Sequence, residues 1–293
     1  MKELNFLLVF ICSYTVCQEL PEPTWKDLNY AGDEKIYHMM DIYLPSSTSN
    51  KSPLIVTIYG SAFKSNNSKE AGKTIKTLIK PLIDSGFAVA SINHRSSFDA
   101  VFPAQIHDVK AALRFIRGNA KKYKIDPSFI GITGSSSGGH LASMAGTTSH
   151  NENVEGNVGN FMQFESHVDA VVDWFGPTDF LLMDICGSKI VHDDVNSPES
   201  RLIGGAIQEN KEKARAANPI SYISPKTPPF LIIHGMVDLT VPYCQSKVFK
   251  IALDSEKIKN ELISVKDGGH GKNVFKKELQ DKMISFFKNE LNK

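Results

Sequence analysis

The chain has 293 residues, 41% hydrophobic and 22% charged, which is enough apolar material for one large buried core. Its 33 basic and 32 acidic side chains leave a formal charge of +1, so nothing in the charge favours nucleic acid or an anionic membrane surface. No repeat recurs at a solenoid or propeller period, which excludes those architectures.

At the N-terminus, Lys2 precedes the apolar run Phe6 to Cys12, and Thr15 and Cys17 sit just before Gln18. A cationic start, a short apolar stretch and small residues near a break predict a secretory signal peptide over 1–17, cleaved near Gln18. The run is too short for a membrane span. Val16 stands where a lipoprotein anchor at Cys17 calls for a small residue, which ranks simple export first. Removal of the signal would leave 18–293, with Cys186 and Cys244 as its cysteines; they either pair or stay free, and spacing does not decide.

Residues 36–44 alternate and end at Pro45, which predicts an edge strand, and 46–52 read as a polar turn. Residues 54–59 form a continuous β-branched run, the pattern of a strand buried on both faces. A helix over 69–84 and a buried strand over 87–92 follow. Ile106, Val109, Leu113, Ile116 and Ala120 recur at helical spacing, with Pro103 near the start, and predict a helix over 104–123. Further strands are predicted at 129–133, 168–175, 230–234 and 261–265, and further helices at 138–148, 242–253 and 273–291. Buried strands alternating with helices define an α/β domain with a mostly parallel sheet covered on both faces. Residues 149–167 and 179–228 lack periodicity and follow strand ends. Both suit a cap over those ends; for 149–167, surface loops suit as well.

The densest signal is Gly134-Ser135-Ser136-Ser137-Gly138, a Gly-x-Ser-x-Gly pattern between an apolar strand and an apolar helix. Strand, tight turn and helix are what an exposed nucleophilic serine requires, and they select Ser136 over its serine neighbours. A serine hydroxyl needs a histidine to take its proton and a carboxylate to orient that histidine. His270, in the flexible Gly268-Gly269-His270-Gly271 turn after the last strand, is the expected base. Asp238, after the 230–234 strand, is the expected acid. Asp173 is its main rival, Asp179 a weaker one, and Asp267 is too close to His270 in sequence to reach round the ring. The backbone N–H of Ser137, at a helix N-terminus, suits a developing oxyanion. A second donor is expected after the first buried strand, from the amide of Ser61 or Ala62. No metal-ligand spacing and no phosphate-binding glycine loop appears, so neither metal nor cofactor is expected. Arg95, Asp108 and Arg114 read as solvated or structural pairs with no catalytic role.

Several segments together resemble the α/β-hydrolase fold and, more narrowly, the bacterial esterase/lipase family grouped with feruloyl and acetylxylan esterases. They are 102–112, Ile125-Asp126-Pro127, 173–179, Ser197-Pro198-Glu199-Ser200, 228–235 and 268–271. Two departures stand out: Tyr59-Gly60-Ser61-Ala62 replaces a His-Gly-Gly-Gly loop, and Ser137 replaces an alanine frequent after the nucleophile. The resemblance implies a secreted serine esterase acting on small esters or acylated polysaccharide, with acetyl or feruloyl groups on plant carbohydrate as substrates. A serine peptidase of the prolyl-oligopeptidase type shares the order serine, acid, histidine, although such enzymes usually carry a large propeller for which this chain has no room. A catalytically inactive binding module of the same fold is the third expectation.

Overall fold

The computed structural model describes residues 20–46 and 51–293; the signal-peptide expectation over 1–17 lies outside them. Among the described residues, eight strands form one sheet. They are β1 (Trp25–Asn29), β2 (Met39–Tyr43), β3 (Ser52–Ile58), β4 (Ala88–Ile92), β5 (Ile125–Ser135), β6 (Ala170–Trp174), β7 (Phe230–Gly235) and β8 (Asn260–Val265). Their order is β1-β2-β4-β3-β5-β6-β7-β8. β1 and β2 run antiparallel to their neighbours, and every pairing from β4 to β8 is parallel.

Along the central strands, alternate side chains enter two separate cores. Leu54, Val56 and Ile58 of β3 join one core, in which α3 (Ala104–Gly118), α4 (Ser137–Thr147) and α7 (Cys244–Ser255) bury Ile106, Leu141 and Phe249. Ile55 of β3 and Ile233 of β7 enter the other, against Leu78 of a helical rod over 72–84 and Met283 of α8 (Lys277–Leu291). That rod runs as α1 (Gly72–Thr74), a wider π segment (Ile75–Ile79) and α2 (Lys80–Asp84). The π turn absorbs Pro81, which has no N–H to give the ladder. Two short helices, α5 (Pro198–Ile203) and α6 (Lys211–Ala216), lie in the insert between β6 and β7.

Several elements differ from expectation, among them β5, which starts at Ile125 rather than 129, and α8, which starts at Lys277 rather than 273. β2 is not the edge strand, because β1 pairs outside it, and residues 36–38 form a 3-10 turn. The rod starts at Gly72 rather than 69. Before it, the Lys69 ammonium is drawn into a carboxylate cluster, 2.8 Å from both Asp27 and Asp41 and 2.7 Å from Glu70. α3 stops at Gly118, where the Asn119 side chain donates to the Phe115 carbonyl and ends the ladder. Residues 149–167 do not cover the strand ends. Instead, the Glu155 carboxylate and the Val158 carbonyl accept from Lys110 and Arg114 of α3. Arg95 meets Asp108 at 2.6 Å, so these arginines are structural as expected.

Candidate active site

The parallel strands all release their C-terminal loops at one sheet edge, where ligands of open α/β sheets bind. After β5 the chain turns within one residue into α4, and Ser136 takes φ 55° and ψ −124°, outside the ordinary regions for a non-glycine residue. Its N–H donates to the Trp174 carbonyl and its own carbonyl accepts from His140, which fixes the turn. The flanking glycines are required by contact rather than by φ. A Cβ on Gly134 would lie 2.3 Å from the Gly138 carbonyl oxygen, and one on Gly138 would lie 2.3 Å from the Ile58 carbonyl oxygen.

Two later loops meet at this turn. Gly235 ends β7 against the backbone of Gly268, where a Cβ would come within 2.2 Å of the Gly268 oxygen, and Val237 donates its N–H to the same carbonyl. This close approach brings Asp238 and His270 together. His270 Nδ1 lies 2.8 Å from Asp238 Oδ2, and His270 Nε2 lies 3.0 Å from Ser136 Oγ. Asp238 Oδ1 accepts from the N–H groups of Thr240, at 2.8 Å, and Val241, at 3.0 Å. Beneath it, buried His234 bridges the Ser246 hydroxyl and the Val241 carbonyl, with Nε2 3.5 Å from Asp238 Oδ2. Burial alone would raise the Asp238 pKa; hydrogen bonds from His234 and His270 and their nearby charge outweigh it and hold the carboxyl well below the usual range. Phe175, at φ 47°, sets its ring edge against His270 at 5.0 Å.

The competing acids have other partners. Asp173 is fully buried behind the turn, where it accepts from the Gly176 N–H and the Ser143 hydroxyl, and burial pushes its pKa up to about 6. Asp179 caps the turn at Leu181, and Asp267 pairs at the surface with Lys276.

The expected oxyanion donors divide. The Ser61 N–H donates to Ser137 Oγ at 2.9 Å, so it is already engaged within the fold. The N–H groups of Ala62 and Ser137 have no acceptor among the described residues. Ala62 and Phe63 both hold left-handed φ values of 52° and 58°, a conformation that costs energy in side-chain-bearing residues. Residues 60–63 and 135–137 line one cavity of about 370 Å³ together with Phe175, His270, His192 and Glu199. The last two come from the 179–228 insert, which therefore walls the site in part. No sequence signal pointed to them as pocket residues beyond the Ser197–Ser200 resemblance. Cys186 and Cys244 are disulfide-bonded and tie this insert to the start of α7.

Among the described residues, the one group of three acids with metal-binding spacing is Asp27, Asp41 and Glu70, and the Lys69 ammonium already fills the place of a cation there. No helix among them is long and apolar enough to cross a membrane.

The BD-FAE family model matches residues 40–253. A truncated carbohydrate esterase from gut microbiota superposes with a TM-score of 0.89 at 43% identity, covering 94% of this chain and 99% of that one. A bifunctional GH43-CE protein of Bacteroides eggerthii gives 0.86 at 49% identity, over 91% of this chain and 35% of that one. Esterase LipQ of Mycobacterium tuberculosis is 30% identical over 205 residues, which is 69% of this chain and 46% of that protein. The chain spans about half the length of the curated relatives it matches.

Proposed function

This chain belongs to the BD-FAE family and has the α/β-hydrolase fold, and on that premise we propose that it is a serine carboxylic-ester hydrolase that removes small acyl groups, acetyl or feruloyl, from carbohydrate. The observation that carries the reading is the unbroken chain Ser136–His270–Asp238, with contacts of 3.0 and 2.8 Å, opening into one cavity.

In this reading Ser136 Oγ attacks the ester carbonyl carbon while His270 Nε2 takes the hydroxyl proton. Ionised Asp238 keeps Nδ1 protonated and stabilises the imidazolium. The N–H groups of Ser137 and Ala62 hold the negative oxygen of the tetrahedral intermediate, the former helped by the positive end of α4. His270 returns the proton to the departing alcohol oxygen, leaving an acyl-serine. Water then attacks the acyl carbon as His270 takes its proton, and Ser136 recovers its own when the acid leaves.

The similarity to a carbohydrate esterase supports a sugar-borne ester. Export through a 1–17 signal peptide belongs to the same proposal, and the Cys186–Cys244 disulfide supports an oxidising compartment. Purified protein assayed on 4-nitrophenyl acetate, acetylated xylan, methyl ferulate and a peptide anilide tests the reading. Ester turnover abolished in Ser136→Ala is the expected result. Anilide turnover without ester turnover would indicate a peptidase, and turnover of neither would indicate a binding module.

A further inference from the structure

Ser197-Pro198-Glu199-Ser200 has no part in the chemistry above, yet the fold builds it into the cavity wall. Ser197 Oγ caps α5 by accepting from the Ser200 N–H, and both serine hydroxyls donate to the His192 carbonyl. Asp184 accepts the His192 N–H at 2.7 Å. The backbone on either side is thus fixed so that the His192 ring meets the Glu199 carboxylate, Nδ1 to Oε2 at 2.8 Å. His192 Nε2 faces the Thr240 carbonyl at 3.0 Å. Nε2 also meets the Ser188 hydroxyl at 2.9 Å, which has the Leu239 and Thr240 carbonyls to donate to, so the ring is able to donate on both sides, to Glu199 through Nδ1 and to Thr240 through Nε2, and to carry a charge. Burial opposes this charge, but the Glu199 contact raises the His192 pKa above its ordinary value.

His192 is 1% exposed and Glu199 4%. Glu199 Oε1 has no protein partner among the described residues, and the side chain lines the same cavity as Ser136. Oε1 is not sealed inside the protein but opens on the cavity, so it is an acceptor that a bound ligand can reach. With His192 holding Oε2, the single free acceptor at Oε1 suits one hydroxyl donor.

We infer that Glu199, held by His192, is the residue that recognises the alcohol half of the substrate, accepting a hydrogen bond from a free sugar hydroxyl close to the scissile ester. This inference rests on the esterase reading and deepens it: the site prefers esters of polyols that keep a free hydroxyl. The link to the reacting centre is short, since the Thr240 carbonyl takes His192 while the Thr240 N–H binds Asp238.

The test compares a monoacetylated methyl β-xyloside with the same ester after its remaining hydroxyls are O-methylated, with 4-nitrophenyl acetate as the reference substrate. A methoxy oxygen has no proton to donate. Wild-type protein is expected to favour the free-hydroxyl ester by about 10-fold or more in kcat/KM, the scale of a hydrogen bond to a charged group. Glu199→Gln removes that charge whichever way the amide turns, and should shrink the preference to roughly threefold or less. Glu199→Asp keeps the charge but withdraws the oxygen by one methylene, and should shrink it too, which provides a second variant if the first folds poorly. Equal rates on both xylosides in wild type, or a preference unchanged in a folded variant, would overturn the assignment. Loss of 4-nitrophenyl acetate turnover in wild type would instead remove the esterase reading itself.

Discussion

Replacing Asp238 with asparagine isolates what the carboxylate does, because the geometry dictates how the amide must sit. Two backbone donors, the N–H groups of Thr240 and Val241, grip Oδ1 at 2.8 and 3.0 Å. The asparagine carbonyl has to stay on them, since turning the amide would set N–H against N–H. Its NH2 group then faces His270 Nδ1, where Oδ2 now lies at 2.8 Å. A donor at that place forces Nδ1 to accept and puts the ring proton on Nε2, facing Ser136 Oγ. The base then points a proton at the group it should deprotonate, with nearly all contacts kept. Loss of the correct tautomer costs on the order of 10⁴ in kcat, about 5 kcal/mol of transition-state stabilisation. The measurement is kcat on 4-nitrophenyl acetate at neutral pH, alongside a thermal melt to verify folding. A folded Asp238→Asn protein that loses less than about 10-fold would refute the reasoning and send the search for the orienting acid elsewhere.

Asp173→Asn gives the opposite pattern. With its pKa raised to about 6 by burial, Asp173 is neutral at no cost below about pH 4, penalises the fold increasingly between about pH 4 and 6, and by a constant amount above that. Asparagine keeps the acceptor for Gly176, so stability at pH 7 should rise by about 1–3 kcal/mol, the gain should vanish near pH 4, and esterase activity should stay within a few-fold; a loss of activity matching that of Asp238→Asn would refute both roles. Opening the Cys186–Cys244 bridge with the double serine variant frees a loop with a sequence separation of 58. Chain entropy sets the loss at about 4 kcal/mol, roughly a 10 °C fall in Tm by calorimetry; an unchanged Tm would mean the bridge adds nothing. Ser137→Ala keeps the backbone N–H and only releases the Ser61 amide, so kcat should stay within about 10-fold, whereas a loss of 100-fold or more would show that the Ser137 hydroxyl itself takes part.

The elements legible in the sequence were those whose environment is uniform. β3, β4 and β7 are buried on both faces and show as largely apolar runs, interrupted only by residues such as Thr57, Ser91 and His234, and α3 has one clear buried stripe. β1, Trp25-Lys26-Asp27-Leu28-Asn29, was invisible. It is an edge strand with charged residues turned outward, and only its pairing with β2 makes it a strand. The start of the 72–84 rod was misplaced because an ion cluster built from distant carboxylates, not local propensity, decides where Lys69 lies.

The same distinction explains why the proposed triad is more legible in the sequence than the pocket. Ser136 and Asp238 sit just past the buried strands β5 and β7, and His270 follows the half-exposed edge strand β8, so recognising these strands also locates the three residues at one end of the sheet. Glu199 and His192 follow no strand. Their segment has no periodicity and is held by serine hydroxyls, a disulfide and the Asp238 loop, contacts that exist only once the chain has folded. In this parallel sheet, therefore, the strands position the proposed triad, while the insert adds Ile190, His192, Pro198 and Glu199 to the cavity wall and, on the proposed reading, tunes specificity there. If that division holds, changes confined to 179–228 should alter which alcohol is accepted while leaving the Ser136–His270–Asp238 contacts intact. Exchanging the insert with that of a relative, then comparing sugar acetates with 4-nitrophenyl acetate, would break the argument if both substrates fell together in a folded protein.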